Sequence, residues 1–205
     1  MVKGIHWLGH ASFRIDNSLT IYIDPWKVQD PRPADVILVT HAHFDHCSPK
    51  DIRKLTKEGT IIVCPQSCVG QLQGDVRPVK PGDVLDLGKI RIEAVPSYNT
   101  NKPNHPREAN NVGYVVEFEG QRIYHAGDTD LIPEMANIRC DVALLPVGGT
   151  YTMDADEAAR ALEQIKPKVA IPMHWGDIVG SRKDAERFAQ KAPKEVQVVI
   201  LDPEQ

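Results

Sequence analysis

Thr40-His41-Ala42-His43-Phe44-Asp45-His46 gathers three of the chain's eight histidines into six residues, with a carboxylate between the second and third. The apolar run Asp35-Val36-Ile37-Leu38-Val39 leads straight into it. That run is short, β-branched and preceded by a proline-rich loop, so it reads as a buried strand. Ser48-Pro49-Lys50-Asp51-Ile52 follows, with serine as N-cap and proline at the first helical position. The cluster is therefore expected on a strand-to-helix loop, where side chains converge while the backbone is held at both ends. Imidazole nitrogens and carboxylate oxygens are the usual ligands of a catalytic zinc, which keeps one position open. His41 and His43 are two residues apart, so at a strand end they point to the same side. Asp45 and His46 lie beyond the strand and serve either the same ion or a second one beside it. Two ions roughly 3.5–4 Å apart act as a clamp on attacking and leaving oxygens. The competing reading is a histidine-rich surface loop or one structural metal, but structural zinc sites usually recruit cysteines and close all four positions.

The bulk of the chain bounds the classes it can belong to. Its 205 residues fit one domain, 1–205, with a sizeable core. It is 41% apolar and 25% charged with a net charge of −4, ordinary for a soluble globular protein. No long basic run is present, which argues against tight nucleic-acid binding; a small-molecule substrate is expected. No apolar stretch approaches the roughly 18–20 residues of a membrane span, and the start has no signal-peptide core. A cytoplasmic protein is expected. Cys47, Cys64, Cys68 and Cys140 are then expected as free thiols.

Working outward, residues 3–26 read as strands joined by tight turns. Asp24 ends one of them before Pro25; there it can accept the second N–H of a metal-bound imidazole or simply cap an Asx turn. Residues 49–58 are expected as a helix ending at Gly59, and 60–64 as another buried strand, giving a βαβ unit with right-handed crossover. A short helix over 67–72, edge strands near 76–79 and 83–87, and a half-buried strand over 90–95 follow. The polar loop 96–111 has the composition of a flexible cover over a site. A hairpin over 112–124 runs into His125-Ala126-Gly127-Asp128-Thr129-Asp130, where glycine allows a sharp turn and Asp128, with two oxygens, can bridge two ions. His125 reads as a core or supporting residue. A short helix over 131–137 and a buried strand over 141–147 lead to Gly148-Gly149-Thr150-Tyr151-Thr152-Met153. Asp154 and Glu157 form a capping box for a helix to residue 165. Thr150, Tyr151 and the loop amides can bind a substrate anion at that helix N-terminus, with capping alone as the alternative. A strand over 168–173 ends in His174-Trp175-Gly176-Asp177; a helix over 181–191 and a strand over 196–201 close the chain.

His-x-His-x-Asp-His after an apolar strand, Gly127-Asp128-Thr129 after a hairpin, and His174 at a later strand end together resemble the metallo-β-lactamase superfamily. The resemblance spans residues 24 to 174. It implies an α/β fold, a four-layer αββα sandwich of mixed sheets, with a metal site along one edge. Compact size and Gly9-His10-Ala11-Ser12 are similar to the small metal-dependent hydrolases related to ascorbate-6-phosphate lactonase and N-acyl-phosphatidylethanolamine phospholipase D. Carried over by position, His41 and His43 hold a first ion, Asp45, His46 and His174 a second, and Asp128 bridges them. Asp24 supports a ligand; His10, a lone histidine between two strands, is either structural or at the pocket edge. The chain departs from the pattern after the strand over 90–95. Most members supply a third histidine for the first ion there, whereas Pro96-Ser97-Tyr98-Asn99 stands in this sequence. Asn99 is a poor zinc ligand, so His105 is the candidate replacement, with substrate binding or a solvent-exposed position as its alternatives. Asn99, His10, Thr150 and Tyr151 remain substrate-binding candidates. The implied activity is hydrolysis of an ester, lactone or phosphodiester by metal-activated hydroxide, with Asp45 or Asp128 accepting a proton. Two Zn2+ ions are expected, with Mn2+ or iron compatible with the same ligands. The alternative is a non-catalytic, degenerate metal-binding member.

Overall fold

The computed structural model describes residues 2–204; the two ends of the expected 1–205 unit, Met1 and Gln205, lie outside them. The first half builds β1 (Ile5–Gly9), β2 (Ser12–Asp16), β3 (Thr20–Ile23), β4 (Ala34–Leu38), α1 (Pro49–Leu55), β5 (Thr56–Pro65), α2 (Gln66–Val69) and β6 (Asp75–Val79). Its six strands form one sheet in sequence order, antiparallel through β1, β2 and β3 and parallel from β3 to β6. The second half supplies β7 (Val84–Asp86), β8 (Ile90–Pro96), β9 (Val112–Phe118), β10 (Gln121–His125), β11 (Val142–Pro146), α3 (Ala155–Ile165), β12 (Val169–Met173), α4 (Arg182–Lys191) and β13 (Gln197–Val198). These strands make a seven-stranded sheet ordered β13-β12-β11-β10-β9-β8-β7, parallel among β10 to β13 and antiparallel among β7 to β10. The chain thus adopts the α/β sandwich of two mixed sheets that the sequence implies.

The layering follows from strand alternation. In β3, β4 and β5, Ile21, Ile23, Val36, Leu38 and Val63 face the large core shared with the second sheet. The intervening Tyr22, Ile37, Ile62 and Cys64 face a second apolar cluster with Ile52 and Leu55 of α1 and Cys68 of α2. Side chains of period two serve both faces, so these strands read as continuous apolar runs. β11 and β12 are buried at every position because α3 and α4 cover their outer side.

Several elements differ in extent from the expected ones: α2 covers Gln66–Val69 rather than 67–72 and β5 begins at Thr56 rather than 60, and three further differences have a visible cause. α1 stops at Leu55 rather than residue 58. Thr56 adopts an extended backbone, returns its hydroxyl to the Ile52 carbonyl at 2.8 Å and pairs with Ala34 across a register shift. The bulge that follows is tied by the Thr60 hydroxyl, which donates to the Ala34 carbonyl at 2.6 Å and accepts from Lys57 N–H at 2.9 Å. The helix over 131–137 is a 3-10 turn, Pro133–Asn137. The last strand shortens to two residues because the tail leaves the second sheet for the first. Glu204 N–H donates to the Trp7 carbonyl at 2.8 Å, and its carboxylate meets His6 and Arg14.

Close approach at the edge of the sandwich requires glycine at Gly148. A Cβ there would lie 2.2 Å from the His174 carbonyl oxygen. Gly148→Ala is expected to lower stability by about 1–3 kcal/mol and to displace His174. Denaturant unfolding, with metal uptake measured in parallel, checks this; an unshifted midpoint would contradict the packing described.

Candidate metal centre

The ligand-bearing loops all leave C-terminal strand ends along one edge. After β4, Val39 N–H still bonds to Val63 O at 2.9 Å, and then the chain turns: His46 and Cys47 N–H both return to the His43 carbonyl, at 3.1 and 2.8 Å. The Ser48 cap and Pro49 start α1 immediately afterwards. His41, His43, Asp45 and His46 are thereby folded toward one point. Asp128 follows β10 through Gly127, whose φ is +65° and whose missing Cβ would lie 3.0 Å from both Ser97 Oγ and Val112 O. His174 follows β12 in a left-handed conformation, its N–H bonded to the His10 carbonyl at 2.8 Å.

Among the described residues three overlapping groups have donor atoms close enough to share an ion: His41, His43 and His105; His41, His46 and Asp128; and His10, Asp45, His46 and His174. In the first, His43 Nδ1 lies 3.1 Å from His41 Nε2 and 3.2 Å from His105 Nε2. Asp128 lies between the groups, 3.3 Å from both His46 Nε2 and His105 Nε2 and 3.1 Å from His174 Nε2. Ligand atoms bonded at 2.0–2.1 Å in a tetrahedral shell stand about 3.3 Å apart, so these spacings fit a metal shell.

The supporting hydrogen bonds select the tautomers. Asp24 is fully buried. It accepts from Thr40 N–H at 2.8 Å, from the Thr40 hydroxyl at 2.6 Å and from His46 Nδ1–H at 2.6 Å. Having donated its own proton to Asp24, the Thr40 hydroxyl is left to accept from His41 Nδ1 at 3.0 Å. Asn99 Oδ1 accepts from His105 N–H and Nδ1–H, both at 3.0 Å. His41, His46 and His105 therefore each carry the proton on Nδ1 and turn an Nε2 lone pair inward, the arrangement that outer partners impose on metal-binding imidazoles. Lone pairs that converge without a proton between them repel; a cation among them removes that repulsion. His46 Nε2, His174 Nε2 and Asp128 Oδ1 are buried without a hydrogen bond, which is costly unless an unseen partner compensates them. The donor set thus fits a divalent metal ion.

Burial and charge shape the titration of the cluster. Burial and the His46 imidazole hold His41 well below the ordinary histidine range, and burial lowers His105. Burial also pulls on His46, but the Asp128 and Asp24 carboxylates raise it well above its usual value, so without a cation its Nε2 would hold a proton that metal binding displaces. Asp128, despite burial, is held well below the carboxylate range by His174 and His46. Burial raises Asp45, yet the His10 hydrogen bond leaves it lowered on balance.

Asn99 takes a place the sequence did not assign it, and His10 takes the structural one of its two readings. His10 is buried, donates Nε2–H to Asp45 Oδ2 at 3.0 Å and lies against His174 with ring centroids 4.0 Å apart and planes tilted by 40°. Asn99 also donates to Asp130 at 3.2 Å and to the Tyr151 carbonyl at 2.9 Å, so its amide is consumed in holding His105. Asp130, which sequence reading passed over, also accepts from Thr100 N–H at 2.8 Å and from Lys102. These bonds pin the loop that composition alone marks as flexible. Thr40 was likewise missed; a hydroxyl beside the first histidine of the motif was its only signal. His125 is fully used in the core, donating Nε2–H to Ala11 O at 2.8 Å and accepting from Gly127 N–H at 3.2 Å. Tyr151 lines the pocket over the cluster. Thr150 is exposed and is not among the lining residues. The capping box of α3 forms as expected: Asp154 accepts from Glu157 N–H at 2.8 Å, and Glu157 accepts from Asp154 N–H at 3.0 Å.

The family model described as the beta-lactamase superfamily domain matches residues 4–174. The chain belongs to the metallo-β-lactamase superfamily. Within it, the chain groups with the small metal-dependent hydrolases. A UPF0173 metal-dependent hydrolase of Thermoplasma acidophilum is 36% identical over 198 residues, covering 90% of this chain and 88% of that protein. A crystal structure from Parabacteroides distasonis, named for metal-dependent hydrolysis, superposes with a TM-score of 0.88 at 34% identity, covering 98% of this chain and 93% of that one. The metallo hydrolase Igni18 of Ignicoccus hospitalis gives 0.82 at 25% identity, over 98% and 95% of the two chains. No helix among the described residues is long and apolar enough to cross a membrane.

The support of His105 by Asn99 is open to test. Asn99→Ala is expected to weaken metal binding by the His41, His43 and His105 group about 10- to 100-fold, the usual cost of removing an outer partner of a ligating imidazole. Metal titration against a chelator reads this; unaltered affinity would remove Asn99 from the site.

Proposed function

We propose that the chain is a binuclear metal-dependent hydrolase of small molecules, acting on an ester, lactone or phosphodiester bond. His41, His43 and His105 would hold one ion and Asp45, His46 and His174 the other, with Asp128 placed between the two groups. The observation that carries this reading is the convergence of three buried atoms without hydrogen bonds, His46 Nε2, His174 Nε2 and Asp128 Oδ1, beside inward-facing imidazole nitrogens of His41 and His105. Nitrogen and oxygen donors without thiolate suit zinc, and also manganese or iron.

These residues would hold a divalent ion whose chemistry, when bound, is to supply hydroxide near neutral pH and to offset negative charge on the substrate oxygen. The chain's own residues do the rest. His10 fixes the orientation of the Asp45 carboxylate through its 3.0 Å bond, which leaves the other Asp45 oxygen to receive a proton. Asp24 and Thr40 hold His41 and His46 in one tautomer, so the ligand geometry is set before substrate arrives. The pocket above the cluster, about 460 Å³ and lined by His43, Asp45, His105, Asp128 and His174 among others, is of the size that takes a small molecule. A degenerate, non-catalytic member was the alternative because histidine is absent at Asn99. The bond from Asn99 to His105 supports a three-histidine group instead and takes away the motive for that alternative.

Elemental analysis of metal-replete protein is expected to find two ions per chain, and Asp128→Ala to lose paired binding together with at least about 100-fold of the rate on model esters, lactones or phosphodiesters. One ion or none, or an Asp128→Ala variant that turns over like the parent, would overturn the proposal.

A further inference from the structure

Phe44, Val84, Tyr151 and Ile178 are the exposed large hydrophobic side chains among the described residues, and all but Val84 line the pocket over the metal cluster. Phe44 is 70% exposed and Ile178 48%. Isolated exposed apolar residues need no explanation, whereas several gathered around one concave site do. Phe44 sits between His43 and Asp45, within the motif itself, and meets the Trp26 ring edge-on at 6.0 Å.

Ile178 is held there against backbone preference. Its φ is +62°, a region a β-branched residue rarely adopts. Val179 N–H donates to the Asp177 carbonyl at 2.7 Å, closing a three-residue turn with Ile178 at its tip. A γ-turn with positive φ at its centre is the strained form. Glycines with positive φ flank it at 176 and 180, and Lys27 clamps Asp177 at 2.6 Å. The turn would be more relaxed with glycine at its tip, yet it carries a branched apolar side chain into the pocket mouth. Strain of this kind points to a use for the side chain.

Charge narrows the ligand further. No lysine or arginine is among the lining residues. The nearby Lys27 and Lys102 are paired with Asp177 and Asp130. An anionic group at the metal cluster has partners, but a second one further out along the substrate meets apolar surface and loses hydration without compensation.

We propose that Phe44, Tyr151 and Ile178 form an apolar collar selecting uncharged esters or lactones that bear an alkyl or aryl substituent, and disfavouring substrates with a second anionic group. This rests on the hydrolase reading. In the reaction, water adds across the acyl C–O bond, which breaks to leave a carboxylic acid and an alcohol, joined as one hydroxy acid when the substrate is a lactone; no oxidant or reductant is consumed.

Binding separates the collar from turnover. The probes are acetohydroxamate, butyrohydroxamate, octanohydroxamate and suberic monohydroxamate, titrated calorimetrically into metal-replete protein, with p-nitrophenyl acetate, butyrate and octanoate as substrates. Affinity is expected to rise at least about 30-fold from acetohydroxamate to octanohydroxamate, a partly buried alkyl chain. Suberic monohydroxamate, of equal length but ending in a carboxylate, is expected to bind at least about tenfold more weakly than octanohydroxamate. Phe44→Ala and Ile178→Gly should compress the ratio between long and short chains. Ile178→Gly should also leave the thermal midpoint at or above the parent's, because glycine relieves the turn; that rules out misfolding as the cause. Affinity independent of chain length, or equal binding of the charged and uncharged eight-carbon probes, would overturn the collar. Chain-length selectivity in binding without hydrolysis of any of these esters, of a lactone or of bis-p-nitrophenyl phosphate would instead overturn the hydrolase reading and leave the apolar selectivity of the collar standing. No binding of any hydroxamate would overturn both.

Discussion

Asp24 is a carboxylate with no exposure to solvent, and the candidate metal centre is organised around what it must therefore do. A buried charge needs partners, and removing one partner of a buried ionic contact costs roughly 3–5 kcal/mol. Asp24 finds them in Thr40 and His46, which joins the end of β3 to the loop after β4. Thr40 passes the constraint to His41. One carboxylate thus sets the ring orientation of two imidazoles, and the lone pairs it leaves facing inward are what a cation satisfies.

The second sheet completes the arrangement by close approach. Gly127 lets Asp128 turn beside Ser97 and Thr40, and Gly148 lets the loop after β11 lie against the His174 backbone. A methyl group at Gly127 would press on Thr40 of the first half, and one at Gly148 on His174 within the second. The sandwich edge is therefore built from parallel strand ends, which present loops at the same end of each sheet, and from glycines that let those loops meet. The candidate ligands sit on the loops that leave the strand ends, and the collar residues share those loops or the turns beside them.

Much of this was readable before folding. Apolar runs of four to seven residues separated by turn residues placed most strands, the Ser48-Pro49 and Asp154-Glu157 signals started α1 and α3 where they begin, and the spacing of His41, His43, Asp45 and His46 located the cluster. Boundaries failed where a side chain competes with the backbone. Thr56 ends α1 early by taking the Ile52 carbonyl, and the tail abandons β13 because Glu204 finds the edge of β1. Loop 96–111 is polar in composition, but Asp130 and Thr129 pin it from another part of the chain. Local periodicity contains no trace of such partners.

The sequence by itself determined the donor chemistry: imidazoles and carboxylates at strand ends, without thiolate, in the order of the superfamily. Tertiary structure decided how they are shared. His10 reaches Asp45 across 35 residues and His105 reaches His43 across 62; Asn99, a poor ligand, becomes the support of a good one; and Phe44, Tyr151 and Ile178, far apart in the chain, meet at one mouth. The physical reason is that periodicity and capping act within a turn or two of backbone, whereas a metal shell and its pocket are set by the stacking of two sheets.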